Sequence, residues 1–205
     1  DNKIDKYSTS IPKRMISSAT VTGLQAEESL LAIDFRPATG QLYGLGSSSR
    51  IYVINPTTGA ARAIGSGPFT PLLSGSVASF DFNPTVDRIR IITNSGQNLR
   101  ANPETGTIAF VDGPINGQPG AIVSGAAYTN NFAGTTTTTL YDVDKASNNL
   151  YIQNPPNNGT LVLVGSLGLD VEDGEFDIAN ATDALGIFTI NNRSNLVALN
   201  LTTGQ

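Results

Sequence analysis

Two short segments of this chain are each written twice at one spacing, and that repetition limits the fold more than any other feature. Ile33-Asp34-Phe35-Arg36-Pro37 returns as Phe80-Asp81-Phe82-Asn83-Pro84, and Asn55-Pro56-Thr57-Thr58-Gly59 returns as Asn102-Pro103-Glu104-Thr105-Gly106, both 47 residues on. Because two separate motifs share the offset, whole supersecondary units repeat rather than isolated turns. Fainter copies follow at Phe176-Asp177-Ile178 and Asn200-Leu201-Thr202-Thr203-Gly204, and a degenerate one runs from Ala127-Tyr128-Thr129-Asn130 to Asn154-Pro155. A period of this length in a strand-rich chain belongs to propellers and related arrays.

Each unit divides into short apolar runs separated by turn chemistry. In the second unit the predicted strands are 77–82, 88–93, 98–101 and 107–111; in the first they are 30–35, 42–45, 50–54 and 61–64. The third reads 122–128, 138–143, 150–153 and 161–164, and the fourth has three strands, 174–178, 185–190 and 196–200. Proline at the first corner of each Asn-Pro turn presets φ, and the closing glycine supplies the positive φ that ends it. Strands spaced this closely with such punctuation predict antiparallel meanders. Helix signals are confined to Gln25-Ala26-Glu27-Glu28. At the other end, 4–8 and 15–22 read as the third and fourth strands of a unit without its first two. Two closures fit this pattern: one N-terminal strand completes the last unit in a four-bladed ring, or the chain is a trimmed five-bladed ring. The reading is therefore an all-β chain, a single β-propeller domain over 1–205 with four-stranded antiparallel blades. There are four to five blades, covering approximately 1–24 (partial), 25–67, 75–113, 121–166 and 172–205 (partial).

Composition then narrows the chemistry. The chain has no cysteine and no histidine. That removes Cys and His nucleophiles, His acid–base work, the Ser-His-Asp triad and ordinary zinc or copper sites. A metal would need oxygen donors, which points to calcium or magnesium. A net charge of −5 with scattered Lys and Arg argues against nucleic acid, whose binding depends on clustered cations. No apolar run approaches the ~20 residues of a membrane helix. Charged residues make up only 14% of the chain, and Thr, Ser, Asn and Gly take their place, a surface common in secreted β-proteins. The chain is accordingly expected outside the cell or at its surface, with any signal peptide removed.

Two acidic sets are candidate cation ligands. Asp34, Asp81 and Asp177, with Asn130 read as their counterpart in the third unit, occupy equivalent places on the innermost strands and would converge on a shared axis. Converging carboxylates repel unless a cation lies between them. The structural alternative is that each Asp bonds the following turn or pairs with Arg36, Arg88 or Arg90. The second set, Asp170, Glu172, Asp173 and Glu175, is the densest charge cluster, and its structural alternative is a solvated loop. Its spacing does not match an EF-hand. No resident cofactor is assigned, and calcium is the candidate ion for both sets. No catalytic residue is singled out.

The segment from Thr22-Gly23-Leu24-Gln25-Ala26-Glu27-Glu28 through Ile33-Asp34-Phe35-Arg36-Pro37-Ala38-Thr39-Gly40-Gln41-Leu42-Tyr43-Gly44-Leu45 resembles the signature of the bacterial family catalogued as domain of unknown function 4394. Phe80-Asp81-Phe82-Asn83-Pro84-Thr85-Val86-Asp87-Arg88-Ile89-Arg90 and Ala126-Ala127-Tyr128-Thr129-Asn130-Asn131 carry the same likeness. The resemblance implies a secreted or surface-attached propeller-like protein and brings no catalytic residues with it. Three functions from different classes follow as expectations. The first is a non-enzymatic extracellular or cell-surface structural or adhesive module, with surface glycans as candidate partners. The second is a filament subunit, self-associating by strand complementation through open sheet edges. The third is a calcium-dependent glycan- or lactone-processing enzyme.

Overall fold

The computed structural model describes residues 2–205. Its four blades follow one another along the chain and stand round a common axis as a β-propeller. Blade one is β3 (Leu30–Phe35), β4 (Leu42–Gly46), β5 (Arg50–Ile54) and β6 (Ala61–Ile64). Blade two is β7 (Ala78–Asn83), β8 (Arg88–Thr93), β9 (Asn98–Ala101) and β10 (Ile108–Val111). Blade three is β11 (Val123–Tyr128), β12 (Leu140–Asp144), β13 (Asn149–Gln153) and β14 (Leu161–Ser166). Blade four has three strands, β15 (Asp173–Ile178), β16 (Ala184–Ile190) and β17 (Arg193–Leu199). All neighbours within a sheet are antiparallel and run in chain order. Apart from a single 3-10 turn at Pro156–Asn158 no helix forms among the described residues, and Gln25 to Glu28 make a turn only.

The N-terminal strands β1 (Lys3–Tyr7) and β2 (Met15–Thr20) pair with each other as a hairpin. Neither adds to β17, so the closure in which an N-terminal strand completes the last blade is not the one formed. Local bonds hold the hairpin on blade one instead. Asn2 Nδ2 donates to Glu28 O at 2.8 Å, Leu30 N–H donates to Asn2 Oδ1 at 2.8 Å, and Thr22 bridges Ala60. Ile4 packs with Leu42, Tyr52 and Ile54 on the blade's flank. The hairpin thus stands as a two-stranded sheet of its own beside blade one.

The core lies between blades, because each short sheet is apolar on both faces and buries each against a neighbour. Tyr43, Leu45, Ile51, Phe80, Phe82, Ile89, Ile91 and Leu99 fill the space between blades one and two. Tyr43 and Phe82 meet edge to face at 5.1 Å. Ile92, Ala126, Leu140 and Tyr151 fill the next interface, and Val143, Leu150, Phe176, Ile178 and Phe188 the one after.

The repeated Asn-Pro turn also ties blades together. Asn55 Oδ1 accepts the Thr57 and Thr58 amides, Asn200 Oδ1 those of Thr202 and Thr203, and Asn102 Oδ1 that of Glu104. The closing glycines, at φ of 75°, 68° and 87° for Gly59, Gly106 and Gly204, then approach the backbone leaving the preceding sheet. A Cβ there would stand 2.1 Å from Thr20 O, 2.4 Å from Ile64 O and 2.6 Å from Gly165 O. Glycine recurs at this place both for its φ and for the absence of a side chain.

Candidate functional site

The innermost strands bring Asp34, Asp81 and Asp177 together at the axis. One carboxylate oxygen from each lies within 4.8 Å of the others, the only such acidic group among the described residues. Register explains the convergence. Phe35 pairs with Leu42, Phe82 with Ile89 and Ile178 with Ala184, so the preceding residue is an Asp in all three blades. Tyr128 pairs with Leu140 in the same way, which makes Ala127 the equivalent residue in blade three. Asn130 is instead in the following turn, where its Nδ2 donates to Thr137 O. The loop after β11 is longer than its counterparts and carries Asn130 beyond the strand, away from the axis.

Backbone amides hold two of these acids. Asp34 Oδ2 accepts Phe82 N–H at 2.8 Å and Asp81 Oδ1 accepts Tyr128 N–H at 3.1 Å, each from the innermost strand of the next blade. Asp177 accepts only the adjacent Ile178 N–H, at 2.6 Å. Asp34 and Asp81 are thus interblade ties, Asp177 bonds its own neighbour, and among the described residues none of the three pairs with arginine. Arg36 pairs with Asp87 and Glu104, and Arg90 with Asp112. Burial, reinforced by the charge of Asp177, holds Asp34 well above the usual carboxylate range. Asp81 is raised likewise, by burial and then by Asp34 and Asp177. Burial also raises Asp177, whose side chain opens toward solvent. Such a set relieves its repulsion by holding protons or by gathering round a hard, oxygen-seeking cation.

Beside the axis a cleft of about 430 Å³ separates blade one from blade four. Paired residues on antiparallel strands share a face, and the pairs Asp177–Leu185–Ala198 and Glu175–Ile187–Leu196 place two rows on the cleft side of blade four. Ile33 and Phe35 face them from β3. These large apolar side chains are exposed, Phe35 by 52% and Ile187 by 58%, where equivalents in the other interfaces are buried. Glu175 adds a fourth acid, raised well above its ordinary value by burial and then by Asp173 and Asp34. The cleft therefore has apolar walls and an acidic floor, and among the described residues no ion pair involves Asp34, Asp81, Glu175 or Asp177.

The second acidic set does not converge. Asp170 accepts from Asn148 Nδ2, Glu172 from the Asn192 amide, and Asp173 pairs with Lys145 Nζ at 3.0 Å, while Glu175 turns into the cleft. A second hollow of about 600 Å³, lined by Thr136, Thr137, Thr138, Thr139, Asn83 and Gln153 among others, carries no charged side chain.

Two polar groups are buried at the interface of blades two and three, where the sequence marks neither as buried. Arg90 bonds Tyr128, Asn98, Asp112 and Asn157 inside the interface of blades two and three. Asp142 lies on the same interface, paired in register with Ala126 and Tyr151, and neither of its oxygens meets a hydrogen-bond partner. Burial pushes it up to about 8, with Arg90 pulling the other way. The apolar cleft walls did leave a signal. Ala184-Leu185-Gly186-Ile187-Phe188 is apolar at successive positions, as a strand buried on both faces would be, yet one of its faces is open.

No helix among the described residues is long and apolar enough to cross a membrane. Among solved structures, U3-55K is similar with a TM-score of 0.53 at 13% identity, over 88% of this chain and 54% of that one. The WD40 repeats of RRP9 are similar with a TM-score of 0.51 at 13% identity, over 88% of this chain and 53% of that one. The chain spans about half the length of these structures, and likeness at this identity concerns the propeller fold alone. No curated protein sequence matches the chain. The model of the family described as Domain of unknown function (DUF4394) matches residues 3–205, and the chain belongs to that family.

Proposed function

We propose that this member of the domain of unknown function 4394 family is a non-enzymatic structural module, working outside the cell or at its surface, with the cleft between blades one and four as its binding surface. The observation that carries the reading is the use made of the convergent acids. Asp34 and Asp81 are tied to backbone amides of neighbouring strands, where a catalytic carboxylate would be aimed at a substrate. Exposed Ile33, Phe35, Leu185 and Ile187 beside them supply what a polypeptide partner buries. The uncharged, threonine-lined hollow suits neutral hydroxyls, which keeps surface glycans among the partners.

The test is a turnover assay on chromogenic glycosides and on simple sugar lactones, with and without calcium. Rates indistinguishable from buffer support a structural role. Calcium-dependent turnover that Asp81→Asn abolishes would overturn it and favour a hydrolase with the axial acids at its centre. A second reading, a filament subunit, is favoured by β17, whose outer edge has no partner strand among the described residues. An unpaired strand edge is a template for a strand from another chain.

A further inference from the structure

We propose that the cleft between blades one and four receives the N-terminal hairpin of a second copy of this chain, so that copies join head to tail. This deepens the structural-module reading and rests on it.

The two surfaces complement each other in charge and in polarity. The cleft offers exposed Asp177 and half-buried Glu175 over the buried Asp34 and Asp81, acids that an incoming cation draws into their charged form, between walls of Ile33, Phe35, Leu185 and Ile187. The hairpin is the reverse. Residues 2–20 contain Lys3, Lys6, Lys13 and Arg14 against Asp5 alone, a net charge of +3 in a chain whose total is −5. Among the described residues Lys6, Lys13 and Arg14 form no ion pair. Tyr7, Ile11, Met15 and Ile16 are exposed beside them. A free hairpin with four bare apolar side chains is poorly stable in water, and among the described residues the ties of this one to blade one gather at its base, through Asn2, Ile4, Thr20 and Thr22. Its remainder needs a surface that takes both cations and apolar groups, and the cleft supplies both between two sheets whose facing sides are open.

Cleft and hairpin are different patches, so the contact is heterologous, and each copy keeps one of each free for the next. Such a contact grows into an open chain unless its rotation closes a ring. Ion pairs formed on contact at the partly exposed cleft make association sensitive to salt.

The experiment uses the full chain in three forms. The first is wild type, the second carries Lys6→Glu, Lys13→Glu and Arg14→Glu together, and the third carries Ile187→Lys. Circular dichroism melts confirm that all fold, and sedimentation velocity follows each from micromolar to millimolar concentration at low and high salt. Wild type should grow in mass with concentration and shrink in high salt. Each variant alone should associate at least about tenfold more weakly. An equimolar mixture of the two variants should form dimers and nothing larger, since one retains a sound cleft and the other a sound hairpin. Wild type that stays monomeric throughout overturns the proposal, as does a hairpin variant that assembles as wild type does. Either failure leaves the turnover assay unaffected, so loss of this contact and loss of the structural-module reading are read from different measurements.

Discussion

The substitution Asp142→Asn should stabilise the protein more as pH rises, by an amount set by one proton. Asp142 is fully buried between blades two and three, its oxygens lack hydrogen-bond partners, and burial pushes it up to about 8 from an ordinary value of 3.8. In the unfolded chain it ionises in the ordinary carboxylate range. Between these two values the native protein keeps the proton and the unfolded chain has lost it. The native pKa is raised, so the stability linked to this group is fully present below the unfolded value and is lost as pH climbs through the native one. The slope is at most about 1.4 kcal/mol per pH unit, or about 2.7 kcal/mol between pH 5 and pH 7. The asparagine side chain has nearly the same volume and does not titrate. Four other acids also have raised values, so wild type alone would mix their slopes. The difference between variant and wild type isolates Asp142. Urea unfolding of both proteins at the two pH values measures it, provided that the m-values agree. An advantage for the variant that grows by about 2 to 3 kcal/mol is the expected result. A difference that stays flat within about 0.5 kcal/mol would refute the argument that a buried carboxyl without a protein partner is protonated here.

Phe82→Ala removes a fully buried ring that meets Tyr43 and Phe80 edge to face, and should cost about 3 to 5 kcal/mol in urea unfolding; a loss under about 1 kcal/mol would mean the interface collapses round the gap. Arg90→Met strips partners from Tyr128, Asn98 and Asn157 while Asp112 keeps Arg100, so a loss of about 3 kcal/mol is expected, against about 1 or less for the more exposed Arg100→Met. Gly106→Ala and Gly40→Ala meet nearly equal φ, 68° and 69°, but only Gly106 faces backbone, at Ile64 O. Thermal melts should show Gly40→Ala costing about 1 kcal/mol and Gly106→Ala at least twice that; equal costs would mean that the close approach between blades is unimportant.

The strands were legible almost residue for residue. The runs 30–35, 88–93 and 98–101 appear unchanged as β3, β8 and β9, because alternation and Asn-Pro-Gly punctuation act over a few neighbouring residues. The blade order followed from the repeat, since each meander can bury its two faces only against another like it. The axial meeting of Asp34, Asp81 and Asp177 was legible too, as symmetry carries equivalent positions to one axis. Their bonds were not. That Asp34 accepts an amide 48 residues away on the next blade depends on how two sheets twist past each other, which no local pattern records.

The sequence by itself determined the all-β repeat, the turns that close each unit and the chemistries that a chain without His or Cys forgoes, because these depend on residue type and short-range spacing. Only the tertiary structure decided that the hairpin rests on blade one, that Glu175 leaves its acidic neighbours, that Asp142 is buried without a protein hydrogen-bond partner, and that Ile33, Phe35, Leu185 and Ile187 face an open cleft. An apolar strand is written in the same way whether or not a neighbouring sheet covers it. What covers a face is a property of the packed arrangement, where the free energy of burial is gained or left ungained.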